Sequence, residues 1–291
     1  MIDVTCVLDA KAACAESPVW VPEERALYWT DIPGRTINRF DPATGANRSW
    51  SMPEAVGCFA LRKAGGLVAA MRNGFAFIDL EHGRIERLGD PEADRPENRF
   101  NDGRCDRRGR FWAGTMHEPR TRKDGSLYRL DPVGTWHWMA DDVLVANGLA
   151  WSPDDRLMYW SDSRSGVVYL FDFDDHTGGI ANRRVFARTT DEELGRPDGA
   201  AVDAEGGYWS ARFRGGRVLR YLPDGTVDRE IRLPARRVTM CAFGGPDLTT
   251  LYITTAREGM STAELAAEPL AGGIFAAEVG VRGLVEPRFA G

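Results

Sequence analysis

NGLAW (residues 147–151) is followed by LMYWSDS (157–163) and then by GVVYLFDFDDHTGG (166–179), and this succession decides the fold. Each run is short, rich in aromatic or β-branched residues, and bounded by Gly, Pro, Asp or Asn, which is how strands read. The same succession recurs along the chain. Its first member returns as ESPVW (16–20), GCFAL (57–61), NDGRC (101–105), DGAAV (198–202) and TMCAF (239–243). Aromatic strands follow, among them RALYWTDI (25–32), RFWAGTM (110–116), GYWSAR (207–212) and LYITTAR (251–257). A third class closes most sets in an acidic turn with glycine, as in RTINRFDPATG (35–45) and GSLYRLDPVG (125–134).

Aligned on their first positions, the six units begin at Glu16, Gly57, Asn101, Asn147, Asp198 and Thr239, spaced 41 to 51 residues apart. A unit of that size with about four short strands is a propeller blade. The expectation is therefore an all-β, six-bladed propeller of four-stranded blades, one domain over residues 1–291. The ring would be closed by pairing of N- and C-terminal strands, drawn from DVTCVLD (3–9) and LVEPRFAG (284–291), which hides sheet edges that would otherwise need protection. A pair of β-sandwiches would not give six similar units in series without a linker. Long amphipathic helices are missing; TAELAAEPL (262–270) suffices for one or two helical turns.

Composition removes several function classes. The chain has 291 residues, 43% of them hydrophobic and 27% charged, with a net charge of −6. Nucleic-acid binding would want a basic face, and no run approaches the length of a membrane span. The N-terminus lacks a basic start followed by an apolar block, so no signal peptide is expected. Five scattered cysteines without a CxxC argue for reduced thiols in a cytoplasmic protein. No GxSxG elbow is present, and His82, His117, His137 and His176 show no metal-ligand spacing. His82, His137 and His176 fall in turns or outer strands. DFDDHTGG (172–179) matches the FDPATG turn and reads as a hairpin rather than a calcium loop.

The repeat turns into geometry, because the innermost strand of each blade lines the central channel. Equivalent starting positions then form a ring at one mouth, with two carboxylates and two amides facing a small volume. Two close carboxylates repel unless a cation lies between them. Carboxylate and amide oxygens suit a hard divalent cation, and positions left open to water or substrate suit a catalytic one. Arg99, two residues before Asn101, can donate several fixed hydrogen bonds to a hydroxylated substrate. Asp102 could orient one of these groups or cap the turn.

AESPVW (15–20), NRFNDGR (98–104), FWAGTM (111–116), NGLAWS (147–152), RPDGAAVDAEG (196–206), CAFGGPDLTTLYITTAR (241–257) and LAGGIFA (270–276) together resemble the regucalcin–gluconolactonase family of sugar lactonases, nearly end to end. The resemblance implies one divalent metal on Glu16, Asn147 and Asp198, with Ca2+ first and Zn2+, Mn2+, Mg2+ or Fe2+ as alternatives. It implies substrate contacts from Arg99 and Asn101, and Asp198 as general acid/base. A further acidic substrate contact follows GTM in some members. Here Glu118 is the candidate, one position from Pro119 at the strict match, and His117 beside it resembles members acting on pentonolactones.

The expected activity is thus ring opening of a sugar lactone such as gluconolactone or a pentonolactone to the aldonic acid. The small-molecule lactone would be the only partner and the protein a monomer. Two further readings are a related metal-dependent esterase or organophosphate hydrolase with a more apolar pocket, and a non-enzymatic calcium-binding propeller. Arg99 above the metal is unneeded in the last.

Overall fold

The computed structural model describes residues 2–189 and 191–291. Its strands assort into six antiparallel four-stranded sheets, five of them built in sequence order from the hub outward and the sixth completed on its outer edge by the first strand of the chain. The innermost strands are Ala15–Val21, Val56–Leu61, Asn98–Cys105, Ala146–Trp151, Arg196–Val202 and Val238–Gly244. Each contains one of the six repeat positions, so the spacing in the sequence is the spacing of blades. The short helix Thr262–Ala267 is closed by a capping box between Ser261 and Glu264, as TAELAAEPL allowed.

Inner strands are buried on both faces because a neighbouring blade covers each side; Asn98–Cys105 is buried along its whole length. Outer strands such as Asn47–Ser51 are largely exposed. Aromatic residues fill the wedges between blades. Trp112, Trp151 and Phe173 meet edge to face at 5.8–6.0 Å, an arrangement worth about 0.5–1.5 kcal/mol per pair beyond area burial. Trp20 stacks on Tyr252 at 5.5 Å across the closure. All five cysteines are free, and Cys58, Cys105 and Cys241 are small core residues.

The ring closes between the first and last strands: Val4–Leu8 pairs antiparallel with Ile274–Glu278 in the sixth blade. The final residues, LVEPRFAG, were expected to form that strand and do not. They run as a strap across the far mouth of the channel, where Phe289 N donates to the Leu61 carbonyl at 2.8 Å and Ala290 N to that of Gly109 at 2.9 Å. Glu286 of this strap pairs with Arg104 at 3.1 Å. The larger cavity lies at the mouth opposite the strap.

Candidate active site

A β-bulge interrupts each inner strand beside its repeat position, between Glu16 and Val19, Phe100 and Gly103, Asn147 and Ala150, Pro197 and Ala200, and likewise in the second and sixth blades. Bulges re-aim side chains next to active sites. The NG of NGLAW is one of them rather than a hairpin turn. Gly148 has φ +62°, and a Cβ there would lie 2.4 Å from the Tyr208 hydroxyl, so only glycine lets the fourth blade turn Asn147 into the channel.

Glu16, Arg99, Asn101, Asn147 and Asp198 all line one cavity of about 390 Å³ at the open mouth, together with Ser163, Arg120, Arg164, Arg214 and Glu258. Five of the six expected site residues are thereby brought together from four blades. Glu118 is not part of the lining. It is half exposed and reaches Arg99 Nε at 3.3 Å and Arg72 Nη1 at 2.7 Å from outside. His117 is buried beside Glu97 at 3.3 Å and does not line the cavity either. The two remaining ring positions are structural. Thr239 donates its hydroxyl to the Ala15 carbonyl at 2.5 Å, joining the sixth blade to the first, and Gly57 gives room to the backbone of Phe100 and Asn101.

The hydrogen bonds sort the two asparagines. Asn101 Oδ1 accepts from Arg99 Nη1 at 3.0 Å, and its amide donates to the Ala146 carbonyl at 3.0 Å; its acceptor is used and one N–H remains. Asn147 is the reverse. Its Nδ2 donates to Ser163 Oγ at 2.8 Å, while its buried Oδ1 accepts nothing among the described residues. Ser163 fixes which end of the amide is offered.

The carboxyls are in the same condition. Among the described residues Glu16 accepts only the Ser17 N–H, at 3.2 Å. Burial pushes its pKa from the ordinary 4.5 up to about 8, the Asp102 charge adds to this, and the Ser17 N–H and Arg99 pull it back. Asp198 is pushed well up by burial and then by Glu16 and Asp102, with Arg120 and Arg212 opposing. Asp102 accepts the Leu149 N–H at 3.0 Å, stitching the third blade to the fourth rather than capping its own turn. Its other oxygen is buried without a partner among the described residues.

Among the described residues no three His, Cys, Asp or Glu side chains group as a metal cluster; the hub offers two carboxylates and an amide oxygen instead. Unsatisfied buried oxygens of this kind cost free energy unless a donor or cation meets them. A hard divalent cation fits that donor set.

The six-bladed propeller thus brings carboxyls, amides and arginines from several blades to one cavity at the mouth opposite the strap. Residues 14–257 match the SMP-30/Gluconolactonase/LRE-like region, and the chain belongs to that family. Its expected standing as an enzyme of the gluconolactonase kind holds. It is 48% identical over 287 residues to the 6-deoxy-6-sulfogluconolactonase of Pseudomonas putida, covering 98% of both chains. It is 40% identical over 297 residues to the regucalcin of Oryctolagus cuniculus, covering 100% of this chain and 99% of that one. Among solved structures, the calcium-binding protein regucalcin of Agrobacterium tumefaciens superposes with a TM-score of 0.94 at 27% identity, over 99% and 97% of the two chains.

Inner-strand positions were read from the repeat, but Arg120, Arg164, Arg214 and Glu258 were missed. They also had a signal, since all four fall in the turn between a blade's second and third strands.

Proposed function

We propose that the protein hydrolyses an aldonolactone to the aldonic acid, with a divalent cation held by Glu16, Asn147 and Asp198. The observation that carries this reading is the convergence of under-satisfied buried oxygens in one open cavity: Asn147 Oδ1 and the Asp198 carboxyl, to which nothing donates among the described residues, and the Glu16 carboxyl, which has the single Ser17 N–H. The named lactonase among the relatives supports the reaction class, and the regucalcin relatives support a cation. A bound cation supplies Lewis acidity at the lactone carbonyl and stabilises charge developing on its oxygen.

The chain's own residues do the rest. Asp198 Oδ accepts the proton of the attacking water as general base and returns it to the ring oxygen that leaves. Without a cation, burial holds Asp198 protonated and unable to do so; an adjacent positive charge favours the ionised form. Arg99 and the remaining N–H of Asn101 donate to sugar hydroxyls. Glu118 and Asn101 hold the Arg99 guanidinium from two sides, which assigns Glu118 to positioning rather than direct contact. Five free thiols fit a reducing compartment, and a closed ring needs no partner, so a monomeric cytoplasmic enzyme is part of the same reading.

The test is proton release from fresh D-glucono-1,5-lactone and pentonolactones, before and after EDTA and on adding back Ca2+, Mn2+ or Zn2+. Turnover that needs a cation is expected. Turnover untouched by chelation removes the cation, and hydrolysis of aryl esters alone removes the lactone.

A further inference from the structure

The open cavity carries more positive charge than a neutral sugar needs. Six arginines line it (Arg99, Arg120, Arg164, Arg196, Arg214 and Arg237) against the three carboxylates of Glu16, Asp198 and Glu258, in a chain whose net charge is −6. A divalent cation at the floor would increase this excess.

Not all six are available. Arg99 is held by Asn101 and Glu118. Arg237 is buried and donates to the Glu258 and Gly259 carbonyls, fixing the sixth blade's loop. Arg120, Arg164 and Arg214 differ: they are exposed, and among the described residues they form no ion pair. They also occupy corresponding places, each in the turn between the second and third strands of blades three, four and five. Consecutive blades therefore present three guanidinium groups as an arc on one side of the mouth. Arg120 and Arg214 have φ of 59° and 67°, a backbone region that non-glycine residues adopt uncommonly, so arginine stands here against the local preference.

The arc opens onto a second recess of about 530 Å³, where Arg164, Arg196, Arg214 and Arg236 outnumber the two acidic residues of its lining, Asp191 and Glu193. The two volumes share a wall, so a group attached to a molecule bound at the hub has room to extend past these arginines. A planar guanidinium donates paired hydrogen bonds to an oxyanion, and such charge-assisted bonds are stronger than those to a hydroxyl.

Building on the lactonase reading, we infer that the substrate is an anionic aldonolactone, whose terminal sulfonate, phosphate or carboxylate is bound by Arg120, Arg164 and Arg214 while its carbonyl lies at the hub. The lactone end fixes the reaction, and the rim selects the substrate.

The test compares kcat/KM for D-glucono-1,5-lactone with that for its 6-phospho and 6-deoxy-6-sulfo derivatives and for D-glucaro-1,5-lactone, which carries a 6-carboxylate, in wild type and in the R164Q/R214Q double variant. At least one charged lactone should be preferred by about tenfold or more, the scale of one or two hydrogen bonds to a charged group. That ratio should fall towards unity in the double variant and shrink with added salt, since exposed charges are screened. The three charged arms separate sulfonate, phosphate and carboxylate. Unchanged thermal unfolding of the variant shows that the fold is intact, and R232Q, on an outer strand, should keep the wild-type ratio. Equal or better turnover of the neutral lactone, or a preference that survives the double substitution, overturns the inference and leaves the lactonase reading standing. If no lactone is hydrolysed, that reading fails, and calorimetric binding of 6-phosphogluconate against gluconate decides the rim separately. Tighter binding lost in the variant supports the anion site, and equal binding of the two overturns it.

Discussion

Asp106 and Asp203 are as deeply buried as Glu16 and Asp198, yet their surroundings are opposite. Asp203 accepts four donors: the Glu205 and Gly207 N–H groups at 2.9 and 2.8 Å, Trp209 Nε1 at 2.8 Å and Arg220 Nε at 2.7 Å. Asp106 repeats this two blades earlier with the Arg108 and Arg110 N–H groups, Trp112 Nε1 and Arg110 Nε. At the hub, Glu16 has one backbone donor, and among the described residues nothing donates to Asp198. A buried carboxylate surrounded by donors is a structural joint. One with a single donor or none, in an open cavity, keeps lone pairs that a donor or cation from outside the chain could meet.

One substitution made at both places tests this division. Asp198→Asn should lower kcat/KM by about a thousandfold, within the range for a lost general base, while the metal-free protein keeps its stability, because an amide need not be ionised in the buried site. Activity near wild type, or a large drop in Tm, would place Asp198 with the structural pair. Asp203→Asn should do the reverse. It withdraws acceptors from Trp209 and from Arg220, itself almost fully buried, and losing one partner of a buried pair costs about 3–5 kcal/mol. Arg220 retains Asp228 and Glu205, which places the loss at the lower end. Urea unfolding measures it, and turnover per folded molecule should stay close to wild type. An Asp203→Asn protein as stable as wild type would break the comparison from the other side.

The same contrast explains what was legible in the sequence. The six blades were, because an inner strand covered on both faces must be small, apolar and repeated, and six copies of that constraint leave a period. Glu16, Asn101, Asn147 and Asp198 were, because a polar residue at one fixed place in such a strand has no packing reason to recur. The donors around Asp106 and Asp203 were not, since they come from turn geometry and an indole nitrogen six residues on. The arginine arc was overlooked because a charged residue in a turn reads as solvated; only its recurrence across blades three to five marks it. The tail misled for a physical reason as well. LVEPRFAG alternates like a strand, but Pro287 lacks an N–H, and the segment satisfies itself through single contacts with Leu61, Lys63 and Gly109 instead of a ladder.

The remaining expected effect is the one most specific to the unsatisfied pair. Glu16 holds its proton to about pH 8 in the folded state, against the ordinary 4.5 it recovers on unfolding. Between those values the folded protein binds more protons than the unfolded one, so stability falls as pH rises. The contribution is fully present below about 4.5 and lost on passing about 8, the opposite of a salt-bridged carboxylate. Comparison with Glu16→Gln isolates it: in EDTA, wild type should become progressively less stable than the variant from pH 5 to pH 8. A divalent cation should reverse the trend, stabilising wild type more at pH 8 than at pH 5, because it competes with the proton for the same oxygens, and should stabilise Glu16→Gln less. The curves are read by denaturant unfolding at each pH. A stability difference that stays flat across the range would mean that Glu16 ionises normally, with a donor or solvent reaching it in the folded protein, and would remove it from the unsatisfied pair.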